Sequence, residues 1–311
     1  MKVIDSFLFF NEKEIAKYRI RKLKSEVDYF VVTEIGATHT GIKRTSDSSI
    51  FFEKYIQRKI MSYKFISYKD LEKIYGNISS LIMQDPWFLE YEHRRLHDEH
   101  LRDFILEKKD IIGSKDILLF SDADEVPSLQ SIEEIKRQIL LNREHGRLSM
   151  SWFIGSIFFK YNENWPGSIY CTIAYFKSNN FDKILSFIHA ERILNVCNVK
   201  GGNHFTYFGD AENVRNKLRS IAEAANKRVR LFRPIAVILL KLGIDPFGRV
   251  GLLTISVQSN DKSNPVSKSL KPYNFLVRII FKPIVLALLY IFAFIVNSLT
   301  KVSPNRWTEN R

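Results

Sequence analysis

The sequence predicts an α/β protein built on a mixed sheet, followed by a basic, apolar, helical tail. Three observations predict it. Apolar strand-like runs alternate with helical patterns through the first half, two strand-like runs then follow one another directly, and the composition changes near residue 226. A chain of 311 residues suits one enzyme domain of roughly 200–250 residues with an appendage better than two equal domains. We place the catalytic domain at residues 1–225 and the tail at residues 226–311.

Residues 3–10 form an apolar run rich in Phe, after which Asn11 opens a helical pattern with Ile15, Tyr18 and Leu23 on one face. Residues 28–35 (DYFVVTEI) are β-branched and aromatic and read as a buried strand ending near Glu34, and residues 63–67 as a short further strand. The Gly-, Thr- and Ser-containing stretch 36–58 between them reads as a loop. Residues 86–109, with charges of both signs, read as a surface helix carrying His93, His97 and His100. The spacing of these histidines would suit a metal face, but no Glu completes an H-E-x-x-H pattern, so exposed positions are preferred. Residues 116–120 (DILLF) form a continuous apolar strand, followed by a polar break and a helix from about 131 to 144. Residues 148–159 and 168–176 read as paired strands with a turn at 162–167.

The net charge of +13 points to nucleic acid until it is divided. Residues 226–311 carry 14 Lys/Arg against 3 Asp/Glu, leaving only +2 on residues 1–225. A nucleic-acid-binding core would carry its cations on the folded face that grips phosphate, so no nucleic-acid partner is expected. The tail also holds the most apolar stretch, 275–299, and overlapping it residues 283–300 (PIVLALLYIFAFIVNSLT) are uncharged and just long enough to span a bilayer. With Lys271, Arg278, Lys282, Lys301 and Arg306 around it, this stretch is expected to meet an anionic membrane surface, lying on it or spanning it. A helix buried in a groove of the catalytic domain is the alternative. A second apolar stretch, 234–240 and then 251–257, is broken by Lys241, Asp245 and Arg249 and is expected to lie on a surface. The N-terminus has no small-residue cleavage site and reads as a first strand, which predicts a cytoplasmic protein at the inner face of the membrane with Cys171 and Cys197 as reduced thiols.

Ligand chemistry in open α/β sheets gathers at the carboxyl ends of the strands, and DILLF is followed there by Asp122 and Asp124. A diphosphate leaving group needs its charge neutralised. A hard divalent cation held by one or two carboxylates and by phosphate oxygens does this, so Asp122 and Asp124 are candidate metal ligands, with a solvated acidic turn as the alternative. Glu125 is open between a general base, a partner of the metal site and a charge capping the next helix. His204 lies in GGNHFTYFG (201–209), where glycines permit close backbone approach and aromatics could wall a pocket. It is a candidate contact to substrate, metal or phosphate, or a structural histidine.

Four separated blocks also carry a resemblance. Phe9-Phe10-Asn11-Glu12 with Glu14 and Arg19 is similar to F-F-N-E-x-D-x-x-x-x-R, and Val32-Thr33-Glu34 with Thr38, Thr40 and Gly41 to V-x-E-x-x-x-T-x-T-G. Residues 121–127 (SDADEVP) are similar to S-D-x-D-E-I-P, and residues 202–208 (GNHFTYF) to G-W-H-x-S-Y-F. In this order the blocks resemble glycosyltransferase family 17, the family of β-1,4-mannosyl-glycoprotein β-1,4-N-acetylglucosaminyltransferase and its bacterial relatives, over about residues 3–220. Asn203 departs from the family's Trp, Thr206 from its frequent Ser, and residues 100–103 match its Q-R-N/D helix only loosely.

The resemblance implies a GT-A-like nucleotide-diphospho-sugar transferase fold, inverting transfer, a UDP-sugar donor such as UDP-N-acetylglucosamine, and Mn2+ (or Mg2+). On that basis Asp124 binds the metal, Asp122 the ion or the donor ribose, and Glu125 takes the acceptor's proton. Asn11, Glu12, Glu34 and Arg102 are donor-site candidates. Helix capping is the other role open to Asn11 and Glu12, and ion pairing to Glu34 and Arg102. The basic, apolar tail suggests a glycan or lipid-linked glycan acceptor, as in surface polysaccharide or lipopolysaccharide synthesis. Two rival classes stand beside this reading: a metal-dependent nucleotidyl- or phosphotransferase, and a non-catalytic, membrane-attached carbohydrate-binding scaffold.

Overall fold

A computed structural model describes residues 1–44, 48–180, 198–220, 233–245, 278, 280–285 and 287–288. Strands β1 (Val3–Phe9), β2 (Tyr29–Ile35), β3 (Met61–Ile66) and β4 (Ile117–Asp122) are apolar, β-branched or aromatic runs, and they pair in parallel in the order β3-β2-β1-β4. Helix α1 (Lys13–Leu23) joins β1 to β2. Between β2 and β3 lies α2 (Ser49–Gln57), a helix where the sequence read a loop. Its Phe52 is fully buried beside Phe9 and Tyr63. One aromatic anchor thus orders a stretch whose polar composition reads as irregular.

Helices α3 (Tyr68–Tyr75), α4 (Ile78–Gln84) and α5 (Phe88–Glu107) lead from β3 to β4. The two faces of the parallel strands are covered separately. Val3, Phe7, Phe9, Ile117 and Leu119 pack with Ala16, Ile20 and Leu23 of α1 and with Phe52, whereas Ile4, Val31, Leu118 and Phe120 pack with Leu101, Phe104 and Ile105 of α5.

Helix α5 is the largest departure from expectation. His93, His97 and His100 are buried, not surface residues. His97 bonds Ser6 (2.8 Å) and Thr33 (2.7 Å), and His100 bonds Thr33 (2.8 Å) and Ser62 (2.9 Å). Small hydroxyl residues on β1, β2 and β3 thus meet the imidazoles of the helix that crosses them. Burial holds His93 and His97 neutral to well below the ordinary histidine range and pushes His100 down to about 4.

A pH dependence follows. In the unfolded chain each imidazole takes a proton near pH 6.5. The advantage of the folded state is therefore complete above that pH and drains as pH falls toward 4, by about 1.4 kcal/mol per pH unit for each such histidine. Urea midpoints measured from pH 7.5 to 5 are expected to fall steadily below about 6.5. A flat profile would contradict the buried, neutral assignment.

The second half of the sheet is mostly antiparallel. Strand β5 (Glu125–Val126) leads into α6 (Leu129–Leu140), capped by Ser128 with Ser131 (3.1 Å), so Glu125 does not cap it. Strands β6 (His145–Ile154) and β7 (Ser156–Thr172) form a hairpin turning at Gly155 (φ 64°), and the expected turn at 162–167 lies inside β7. Breaks in the β6–β7 register blur the period-two pattern there. Helix α7 (Ile173–Ser178) replaces the end of the strand read at 168–176.

Strand β8 (Asn198–Thr206) pairs in parallel with β6 and antiparallel with β5, giving the full order β3-β2-β1-β4-β7-β6-β8-β5. Strands β4 and β5 are separated by Ala123 and Asp124 alone, yet β5 ends the sheet four places away. The sheet must therefore curl back on itself, and the Asp122–Glu125 link bridges the curl. The result is a mixed α/β architecture with one curled eight-stranded sheet among the described residues.

Helix α8 (Ala211–Ser220), a 3-10 turn (Arg233–Ile235) and α9 (Ala236–Lys241) complete the described body. Val214, Leu218, Ala236, Val237 and Leu240 pack with Trp152, Phe159, Tyr161 and Tyr207 in a separate apolar cluster. Residues 236–240 are thus docked onto the protein's own core, with Ile235 and Ile238 left exposed. Residues 251–257 and Cys197 lie outside the described residues. Cys171 is a free, buried thiol that burial pushes up to about 12.

Candidate active site

The site is organised by Arg19, a fully buried arginine on α1. Its guanidinium forms a bidentate pair with Asp5 of β1 (2.7 and 2.5 Å) and donates to the Ser121 hydroxyl and to the carbonyls of Asp122 (2.8 Å) and Glu125 (2.9 Å). One side chain therefore clamps both ends of the acidic link to the central strand. The planar fork, always charged, suits this geometry where lysine would not. On the far side Phe205 N–H donates to the Asp124 carbonyl (2.9 Å), and Glu125 pairs with His204 across β5 and β8. Gly202 (φ 93°) makes that approach possible, since a Cβ there would lie 2.7 Å from the Val126 carbonyl. Gly202 thus serves close packing against β5, and Gly201 (φ 144°) close packing against Ser128 and Ser131 at the start of α6.

The two aspartates part company. Asp122, its side chain 41% exposed, takes a bidentate pair from Arg94 of α5 (3.0 and 3.1 Å). Burial pushes this carboxyl up, but the guanidinium more than reverses the effect and holds it well below the usual carboxylate range. Asp124 is buried, accepts from Lys217 of α8 (2.5 Å), and has His204 Nε2 3.6 Å away. Burial, with Glu12 and Asp122 nearby, pushes Asp124 up against the pull of Lys217. Lys217 also donates to Glu12 (3.2 Å); the two carboxylates overcome burial and raise the ammonium's pKa. Two carboxylate oxygens thus converge on one cationic point.

That convergence is a donor set that suits a hard divalent ion, which takes its remaining ligands from phosphate and water. Among the described residues no cluster of three or more His, Cys, Asp or Glu could hold a metal. Among the described residues Asp124 and Glu12 form a pair that could hold a cation, while Asp122 is turned to Arg94.

The other sequence candidates fall into place around this point. Glu12 is the N-cap residue of α1 but makes no side-chain capping bond; its second oxygen accepts the N–H groups of Phe10 (3.2 Å) and Asn11 (3.0 Å). Asn11 is exposed and lines, with Phe10, Glu12, Asn213 and Lys217, a cleft of about 230 Å3. Glu34 is fully buried and accepts from Arg44 (2.9 Å), the Ser48 N–H (3.0 Å) and the Tyr63 hydroxyl (2.6 Å); it anchors the loop after β2 through an ion pair. Arg102 sits away from the carboxylates, paired with Asp98 (2.6 Å) over the Phe176 ring. Glu125 is buried, accepting from Trp165 Nε1 (2.6 Å) and, at the limit, from Ser168 (3.5 Å). The His204 ring lies tilted against Trp165, with ring centroids 4.4 Å apart.

Sequence reading missed Arg94 and Lys217, which carry no motif and come from distant helices. Arg94 has one weak local signal, Glu90 four residues before it and 3.7 Å away.

Paired carboxylates and matching cations thus gather at the parallel strand ends, where open α/β sheets bind their ligands. Residues 1–191 match glycosyltransferase family 17, and the chain belongs to that family. It is a glycosyltransferase, using a sugar donor and an acceptor. His204 and Lys217 lie beyond the matched residues. No curated protein matches the chain. Solved structures similar to it include a protein described as a glucose-1-phosphate thymidylyltransferase from Bacillus anthracis in complex with a sucrose (11% identity, 66% of this chain and 87% of that one, TM-score 0.31). Another is 4-diphosphocytidyl-2C-methyl-D-erythritol synthase from Anaerococcus prevotii (11% identity, 64% and 87%, TM-score 0.26).

Proposed function

We propose that this glycosyltransferase moves N-acetylglucosamine from a UDP-sugar to a glycan acceptor, with inversion and dependence on Mn2+ or Mg2+. The observation that carries the placement of the donor is the convergence of Asp124 and Glu12 on one cationic point, beside the Asp122–Arg94 pair at the ends of β1 and β4. Asp124 and Glu12 would hold the divalent ion, which when bound neutralises the charge that the leaving diphosphate acquires. Arg94 keeps Asp122 ionised and adds a fixed positive charge beside the phosphates. Arg19 holds the link in shape, so little reorganisation is needed as charge develops.

The acceptor hydroxyl oxygen forms the new bond to the anomeric carbon as the bond from that carbon to the diphosphate breaks. The hydroxyl proton passes to a carboxylate, which we assign to Glu125 Oε2. Trp165 and Ser168 fix that carboxylate, and Trp165 with His204 supplies an aromatic wall for a sugar face. A nucleotidyl- or phosphotransferase would release pyrophosphate or transfer phosphate, and a binding scaffold would turn over nothing. Nucleotide release from a panel of UDP- and GDP-sugars, with manganese or with chelator, separates them. Manganese-dependent UDP release from UDP-N-acetylglucosamine is expected; silence with every donor would overturn the reading.

The acceptor's setting rests on the tail. Among the described residues no helix is long and apolar enough to cross a membrane. The helical residues 280–285, 287 and 288 expose Ile280, Phe281, Ile284 and Leu288 along one face. Arg278 packs over Phe159 (4.9 Å to the ring centroid), and Lys282 donates to the Gly243 carbonyl (3.3 Å). This arrangement supports a cytoplasmic enzyme lying on the inner membrane face, with a lipid-linked glycan as acceptor. Phe281→Glu is expected to cut flotation with anionic vesicles several-fold while leaving UDP release unchanged. Undiminished flotation would place the membrane contact elsewhere.

A further inference from the structure

We propose that Lys217 is a resident counter-cation of the metal position: with no divalent ion bound, its ammonium occupies the point between Asp124 and Glu12, and an ion must displace it to bind. The proposal rests on the metal-dependent reading above. Asp124 and Glu12 have side chains only 9% and 12% exposed, and both reach the same ammonium, at 2.5 and 3.2 Å. Two carboxylates so placed repel one another strongly in a site with little water, so without a bound ion the pair needs a cation from the protein itself. Lys217 supplies it. Its contacts are with the oxygens that a divalent ion would take, and two cations cannot share that point without severe repulsion.

The lysine has somewhere to go. Its four-carbon stem is flexible, and it lines the same cleft of about 230 Å3 as Asn213 and Asn216 of its own helix. The entrance to α8 passes through Tyr207 (φ 56°) and Gly209 (φ 128°), and a Cβ at Gly209 would lie 2.8 Å from Asn213 Cβ, so the turn that sets the direction of α8 is closely built. The helix is therefore held while the side chain moves. Apparent metal affinity is then the intrinsic affinity scaled by the fraction of molecules in which the ammonium has left. A lysine that occupies the point nine-tenths of the time or more weakens binding by about ten-fold or more.

The test is Mn2+ binding to the full-length protein, followed by loss of the free-ion EPR signal, without nucleotide and with UDP. Wild type is compared with Lys217→Met, Lys217→Gln and Asp124→Asn. Lys217→Met is expected to bind Mn2+ at least about ten-fold more tightly than wild type, and Asp124→Asn to lose the site. Equal or weaker binding by Lys217→Met, with a native circular dichroism spectrum, overturns the proposal and leaves the metal reading standing. Absence of binding in both wild type with UDP and Lys217→Met removes the metal reading and the proposal with it. Should Lys217→Met fail to fold, Lys217→Gln, which keeps a hydrogen-bond donor near the carboxylates, makes the same comparison with the same outcomes.

Discussion

Asp124→Asn is expected to slow sugar transfer by about two to three orders of magnitude while leaving the protein folded. The amide has the shape of the carboxylate, so Phe205 N–H still finds the residue 124 carbonyl and the β4–β5 link keeps its path. What is lost is the buried negative charge that faces Lys217 and His204. On the metal-dependent function proposed above, the variant would hold the divalent ion poorly and stabilise the leaving diphosphate less. UDP release at saturating donor, compared with urea midpoints of both proteins, separates the two effects. The expected outcome is a collapse in kcat with little change in midpoint. Full activity in the variant would remove Asp124 from the chemistry.

Arg19→Met is expected to have the largest effect on stability, about 3–5 kcal/mol, because it leaves Asp5 buried and unpaired. Neither side chain has measurable exposure, so solvent cannot substitute for the lost guanidinium. The carbonyls of Asp122 and Glu125 and the Ser121 hydroxyl lose a donor in the same step. Urea unfolding measures the loss. The double variant Asp5→Leu/Arg19→Met is expected to recover part of it, since an apolar pair of similar volume removes the orphaned charge. A single variant as stable as wild type would show that the pair is not the organiser of the link.

The contrast between Arg19 and Asp124 shows what could be read from the chain alone. Asp122 and Asp124 were legible because a five-residue apolar run precedes them, and position after a strand is a local property. The parallel strands were legible for the same reason, as runs buried on both faces lose their alternation and read as continuous apolar stretches. Arg19 appeared only as one letter of a family pattern; its bonds to residues more than a hundred positions away exist only once β1 and β4 pair. Lys217 is the extreme case, reaching Glu12 across 205 positions from a helix with no motif.

The misread elements have equally physical causes. His93, His97 and His100 looked exposed because the residues around them are charged, whereas Ser6, Thr33 and Ser62, the partners of His97 and His100, are single polar residues inside apolar strands. The β6–β7 turn was misplaced because Gly155 makes a one-residue reversal, while Asn162 to Gly167, rich in turn-forming residue types, continues a bulged strand. The curl of the sheet, which brings β5 beside β8 and closes the site, left no trace in the local pattern of either strand.

The most direct test of the account is anomalous diffraction at the manganese edge from crystals soaked with Mn2+ and UDP. A manganese peak bound by Asp124, with the UDP phosphates against it at the ends of β1 and β4, is the predicted result. UDP bound elsewhere on the chain, or bound at these strand ends with no ion near Asp124, would contradict it.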